Sequence, residues 1–234
     1  MAITTGHIDI RAADGGVFQA YLARPAHATQ APGLLLIQEI FGVNAHIRAV
    51  ADDFAEQGYV VLAPDVFWRA QPNVELGYDQ DSIKQAMALR ARIPVEQMVD
   101  DLRDTVAALK SLPQCNGRIA AVGYCMGGQL VYRLAATGAI DAGISYYGAR
   151  LLDILDLARQ IRVPILFHYG ELDKGIPLTE VEAVRAAFVA HPNATIHVYA
   201  NADHGFNCDQ RGSYNAEVAK IARERSLQFL RDAL

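Results

Sequence analysis

The turn Gly123-Tyr124-Cys125-Met126-Gly127-Gly128 constrains this chain more than any other stretch. An apolar run at 118–122 leads into it, and a helical pattern at 129–136 leads out. A strand that passes so abruptly into a helix needs small residues around the bend, because a Cβ there collides with the neighbouring strand and helix. Such a bend lifts one side chain above the end of a sheet and has the form of a nucleophile elbow. Serine usually occupies the apex. Here the apex is Cys125, so attack on a substrate runs through a thiolate.

The remaining pattern predicts a sheet able to carry this bend. Residues 7–10 and 17–22 alternate in polarity about Asp14-Gly15-Gly16, which predicts an antiparallel hairpin. Gly33-Leu34-Leu35-Leu36-Ile37-Gln38 is continuously apolar, as a buried parallel strand requires. A helix is predicted over 44–57, with Gly58 ending it, and a buried strand over 59–63. Pro64, Pro72 and Gly77 mark 64–81 as a long excursion over one end of the sheet. Two helices, 81–92 and 95–112, are split by Pro94. Strands follow at 118–122, 141–147, 163–168 and 195–199, with helices at 179–190 and 212–234. Strand and helix alternate from Gly33 onward, so the expected fold is α/β, with a mostly parallel, doubly wound sheet and helices on both faces. Residues 1–234 read as one domain.

Charge and composition exclude several functions. The formal charge is -5 and no basic cluster is present, so nucleic acid and anionic membranes are not expected partners. No apolar run approaches a membrane span. Three scattered cysteines, Cys115, Cys125 and Cys208, fit neither a disulfide framework nor a zinc site. They suit a reducing, cytoplasmic compartment. Neither a Gly-x-Gly-x-x-Gly run, a P-loop nor a His-Glu-x-x-His motif occurs, so no nucleotide cofactor and no metal are expected.

An unperturbed thiol, with a pKa of about 8.5, is only slightly ionised at neutral pH, so Cys125 needs partners. They should lie on loops after later strands, in the order nucleophile, acid, histidine. Asp173, in Tyr169-Gly170-Glu171-Leu172-Asp173, offers the acid. Glu171 is an alternative; Asp153 and Asp156 are others, placed in a helical segment. His204 lies just beyond the last strand. The other histidines sit less well: His197 within a strand, His168 at a strand end, His191 at a helix end, and His7, His27 and His46 before the elbow. An oxyanion hole is expected from the backbone N–H of Met126 and of Ile40, on the loop after the third strand. Glu39, on the same loop, either opposes ionisation of a nearby thiol or accepts its proton. Trp68 and Tyr78 on the excursion, and Phe41 beside Ile40, are candidates to line a substrate pocket, as are Phe67 and Tyr146.

With Gln38-Glu39-Ile40-Phe41-Gly42, Ala63-Pro64-Asp65, the elbow, the Asp173 loop and His204-Gly205-Phe206, the chain resembles the dienelactone hydrolase (carboxymethylenebutenolidase) family over nearly its whole length. The resemblance implies an α/β-hydrolase fold with a sheet of about eight strands. It implies a Cys125–His204–Asp173 triad, with Glu39 pairing with the resting thiol and taking its proton when substrate binds. It also implies hydrolysis of an enol-lactone or small ester through an acyl-thioester, by a monomer without cofactor. The family holds a substrate carboxylate with two arginines, one on the excursion helix and one just after the histidine. Here Lys84 stands near the first position, and Arg211 lies farther along than the second. Two other functions use the same elbow: a redox-responsive or non-catalytic protein with Cys208 as a second thiol, and a thiol peptidase.

Overall fold

The computed structural model describes residues 1–189 and 193–234. Alternating polarity at the N-terminus folds as predicted: β1 (Ile3–Arg11) and β2 (Val17–Pro25) pair antiparallel, with Arg11 opposite Val17 across the turn. β3 (Ala31–Ile37) and β4 (Val60–Pro64) pair parallel, and β2 runs antiparallel to β4. All five residues of β4 are buried, consistent with their unbroken apolar character. Between these strands lies α1 (Ala45–Glu56), which packs on β2 and β4. Asn44 caps it by accepting from the Ile47 N–H at 3.2 Å, and Gly58, at φ +103°, turns the chain out of it.

The excursion, residues 65–79, is pinned at both ends. Near its start, the Asp65 carboxylate accepts from the N–H groups of Phe67 (2.9 Å) and Asn73 (2.6 Å). At its far end, the Asn44 amide donates to the Leu76 carbonyl and to the Tyr78 hydroxyl. Helices α2 (Gln80–Arg90) and α3 (Val95–Ser111) follow, and α3 packs on β3 and β4. Asp101 of α3 makes the strongest tie. Its buried carboxylate takes two hydrogen bonds from Arg69 (2.8 and 2.7 Å) and one from the Trp68 indole N–H (2.8 Å). Arg69 also reaches Asp14 in the β1–β2 turn, and Trp68 stacks on Phe18.

β5 (Cys115–Tyr124) starts three residues earlier than expected and leads into α4 (Met126–Ala136). β6 (Ala142–Tyr146), β7 (Ile165–Gly170) and β8 (Ala194–Tyr199) are parallel neighbours. A 3-10 segment (Leu151–Gln160), α5 (Leu178–Ala187) and α6 (Ala216–Ala233) complete the chain, with α4 against β6 and α6 against β6 and β7. The eight strands have the order β1-β2-β4-β3-β5-β6-β7-β8, a mostly parallel sheet as expected. Two compact units divide the chain, Met1–Ala121 and Val122–Leu234.

Several boundaries differ from the sequence reading. α4 begins at Met126, three residues before the expected 129, so the elbow runs directly into helix. The last helix begins at Ala216, not 212, because the Asn215 side chain caps it at Val218 N–H (3.2 Å) while residues 212–214 form a turn. α5 ends at Ala187; Ala190 and His191, assigned above to the end of this helix, lie outside the described residues. No helix among the described residues is long and apolar enough to cross a membrane.

Removing Asp101 leaves the Trp68 indole N–H without its acceptor and the largely buried Arg69 guanidinium with Asp14 alone. Asp101→Ala is expected to destabilise the protein by about 3 kcal/mol in urea unfolding. A loss below about 0.5 kcal/mol would mean that the tie is energetically idle.

Candidate active site

Cys125 sits at φ 54°, ψ −114°, a conformation that L residues rarely adopt. Strain of this kind costs on the order of 1–3 kcal/mol and persists only where the surroundings enforce it. The enforcement here is visible. The Cys125 N–H donates to the Tyr146 carbonyl at the end of β6 (3.0 Å), and its own carbonyl accepts from Gly128 N–H (2.9 Å). A Cβ on Gly123 would run into the Gly127 carbonyl, and one on Gly128 would lie 2.7 Å from Ser145 Oγ. The sharp bend therefore requires these glycines, as expected from the sequence. Cys125 is partly exposed, whereas Cys115 and Cys208 are buried. It also precedes the first turn of α4, where unpaired N–H groups and the helix dipole favour a negative charge. Met126 opens that turn.

Asp173 and His204 meet. Asp173 lies on the loop after β7, with its side chain 2% exposed. One carboxylate oxygen accepts from the N–H groups of Gly175 (2.8 Å) and Ile176 (3.2 Å), which fixes the carboxylate plane. The other lies 2.7 Å from His204 Nδ1. Burial works against a charge on His204, but the negative charge of an ionised Cys125 and hydrogen bonds to Asp173 and Cys125 outweigh it, pushing the imidazole up to about 10. Cys125, His204 and Asp173 thus form one hydrogen-bonded line within Val122–Leu234.

The rival groups are engaged elsewhere. Glu171 accepts from Asn201 N–H at the surface, Asp153 pairs with Arg150, and Asp156 is exposed. His168 and His197 stack on one another in β7 and β8, His7 lies in β1 and His46 in α1, and His27 is exposed.

The substrate-side candidates separate clearly. Arg211 folds back over Gly205, where a Cβ would lie 2.6 Å from the guanidinium carbon. Tight turns at Asp203–Phe206, Gly205–Cys208 and Cys208–Arg211 bring it there, so its seven-residue distance from His204 along the chain does not separate the two loops. Lys84 is exposed and pairs with Asp81 at 3.2 Å. Trp68 is committed to the Asp101 tie described above. Phe41 is buried, edge-on to Tyr78 at 4.6 Å. Glu39 is buried just beyond β3, and Ile40 follows it. These residues, from Glu39 to Lys84, belong to Met1–Ala121. Phe67 and Tyr146 are fully buried core rings. Tyr147 was not anticipated: its ring lies 5.0 Å from that of His204, at a positive φ of 37°. Only its place at the end of the strand predicted over 141–147 hinted at it.

Comparison with known proteins agrees with this geometry. The family model for the dienelactone hydrolase family matches residues 18–234. A carboxymethylenebutenolidase of Pseudomonas putida is 35% identical over 227 residues, covering 97% of this chain and 96% of that protein. Another, from Cupriavidus pinatubonensis, is 33% identical and covers 95% of each chain. A crystal structure from Klebsiella pneumoniae, provisionally named a dienelactone hydrolase, superposes with a TM-score of 0.89 at 32% identity over 99% of both chains. An elbow cysteine, an Asp–His pair on the following strand ends, an eight-stranded sheet and a match of nearly full length lead to one assignment: this chain belongs to the dienelactone hydrolase family.

Proposed function

We propose that this protein hydrolyses a lactone or small carboxylic ester through a cysteinyl acyl-thioester. The observation that carries the reading is the line from Asp173 through His204 to Cys125, ending on a strained, partly exposed thiol. Family membership supports it, and two relatives bear the name carboxymethylenebutenolidase. In the proposed cycle Glu39 takes the thiol proton when substrate binds. The Cys125 thiolate then attacks the carbonyl, and the N–H groups of Met126 and Ile40 hold the oxyanion. Collapse expels the alkoxide or enolate, which stays tethered when the substrate is a lactone.

The electrostatics of His204 suit the second half of this cycle. Once Cys125 is ionised, its negative charge favours the protonated imidazole. Acylation converts the thiolate into a neutral thioester and removes that charge. His204 then falls in pKa, gives its proton to the expelled oxygen and, steered by Asp173, becomes the base that activates water. Arg211, folded beside the His204 loop, is the proposed anchor for a substrate carboxylate, with Lys84 and the aromatics Phe41, Trp68 and Tyr78 as further contacts.

We propose also that the two compact units form one α/β-hydrolase domain, working as a cytoplasmic monomer; the family match spans both units and all three cysteines are free. Cys208 is fully buried, which disfavours the redox-sensor reading.

Cys125→Ala is expected to lower hydrolysis of an activated ester and of a lactone by at least about 10³-fold; full turnover in the purified variant would overturn the assignment. Glu39→Gln should slow single-turnover acylation by about 10²-fold or more while leaving the fold intact, and an unchanged acylation rate would make Glu39 structural. The third expectation concerns pH. The folded His204 lies near 10, above its unfolded value of about 6.5. Its stabilising contribution is therefore complete below about pH 6.5 and is lost as pH climbs through about 10. Replacing Cys125 by Ala removes the raising charge, so the His204 midpoint, followed by imidazole NMR, should fall. An identical midpoint in the variant would refute this coupling.

A further inference from the structure

Behind the elbow lies a buried polar cluster that the proposed cycle does not use. His168 is fully buried in β7 and bonded through both ring nitrogens: Nδ1 to the Tyr199 hydroxyl of β8 (2.8 Å) and Nε2 to Ser226 Oγ of α6 (3.0 Å). Ser226 Oγ in turn meets the Tyr146 hydroxyl of β6 at 2.7 Å. We propose that His168 and Ser226 are positioning residues for the nucleophile, forming a hub that locks together the strand ends from which Cys125, Asp173 and His204 are held. The proposal rests on the reading of Cys125 as nucleophile.

Each arm of the hub ends at part of the site. Tyr146 stacks on Tyr124, the residue before Cys125, at 4.7 Å, and its carbonyl accepts the Cys125 N–H. The His168 carbonyl accepts from Tyr147 N–H (2.8 Å), the residue whose ring faces His204. Tyr199 ends β8, and its carbonyl accepts from Glu171 N–H (2.9 Å), at the start of the loop that carries Asp173. A shift of the hub therefore moves the strained peptide and the acid loop together.

The cluster also fixes a tautomer. The groups facing His168 are His197 and Tyr199 on β8, Arg225 and Ser226 on α6, and Tyr146 on β6. Burial, His197 and Arg225 all disfavour a charged ring, so His168 is neutral. The Arg225 guanidinium lies over the Tyr199 ring, 5.3 Å from its centroid. That phenol, buried, satisfies its single proton by donating to Nδ1. Nε2 then carries the hydrogen and donates to Ser226 Oγ, which shares a further hydrogen bond with the Tyr146 hydroxyl. The bonds thus join β8, β7, α6 and β6 in one chain that ends at the back of the elbow.

The test uses Ser226→Ala and Tyr146→Phe, alone and combined, on the full-length enzyme, with melting curves to confirm folding. For the ester substrate, kcat per folded molecule should fall about tenfold in each single variant, with KM within about twofold, and the double variant should be no worse than either single one. Nitrogen-15 NMR of the wild type should find His168 as the Nε2–H tautomer, without titration from about pH 5 to about pH 9. A wild-type kcat in the single variants, or losses that multiply in the double, overturns positioning. A His168 that titrates, or that carries its hydrogen on Nδ1, overturns the hub. The NMR result stands apart from turnover, so failure of the hub is distinguished from failure of Cys125 as nucleophile, which Cys125→Ala reads.

Discussion

The peptide of Cys125 is held where an L residue does not rest, and the organisation of Val122–Leu234 follows from how it is held. A single hydrogen bond to the Tyr146 carbonyl fixes the apex from one side, and the packing at Gly123 and Gly128 leaves it no room to relax on the other. Gly128 needs Ser145 and Gly148 close behind it, and Tyr146 needs a rigid β6, which the parallel pairing with β7 supplies. The reactive atom is thus located by a sheet, with its energetic cost spread over many ordinary contacts.

The electrostatics obey a similar economy. Asp173 spends one oxygen on two backbone N–H groups and the other on His204, so it orients the ring without freedom to turn. His204 in turn responds to the charge state of a single neighbouring sulfur. Under the proposed function such an imidazole needs no conformational change to alter its role, because the covalent state of the thiol sets it.

Much of this was legible in the sequence where the determinant was local. The elbow is written in glycines whose close approach leaves no alternative, and the strand-loop placement of Asp173 and His204 follows from short apolar runs. The hairpin and Gly58 are local in the same sense. The start of α6 was not, since residues 212–214 fit a helical pattern until the Asn215 side chain is seen to cap the helix. Nor was the His168 cluster: Ser226 lies 58 residues from His168 and 80 from Tyr146, and a serine on a helix carries no pattern that announces them. Arg211 was named from the sequence as a candidate standing farther along than the family's arginine, and three tight turns fold it back over Gly205.

The excursion of residues 65–79 has a property beyond its anchoring. The ties described above run to Asp101, Asp14, Phe18 and Asn44, all within Met1–Ala121, while the Asp173–His204–Cys125 line lies wholly in Val122–Leu234. Replacement of the segment between its pins leaves the bonds of that line untouched, so under the proposed function a lineage can diversify what it accepts while its reaction stays constant.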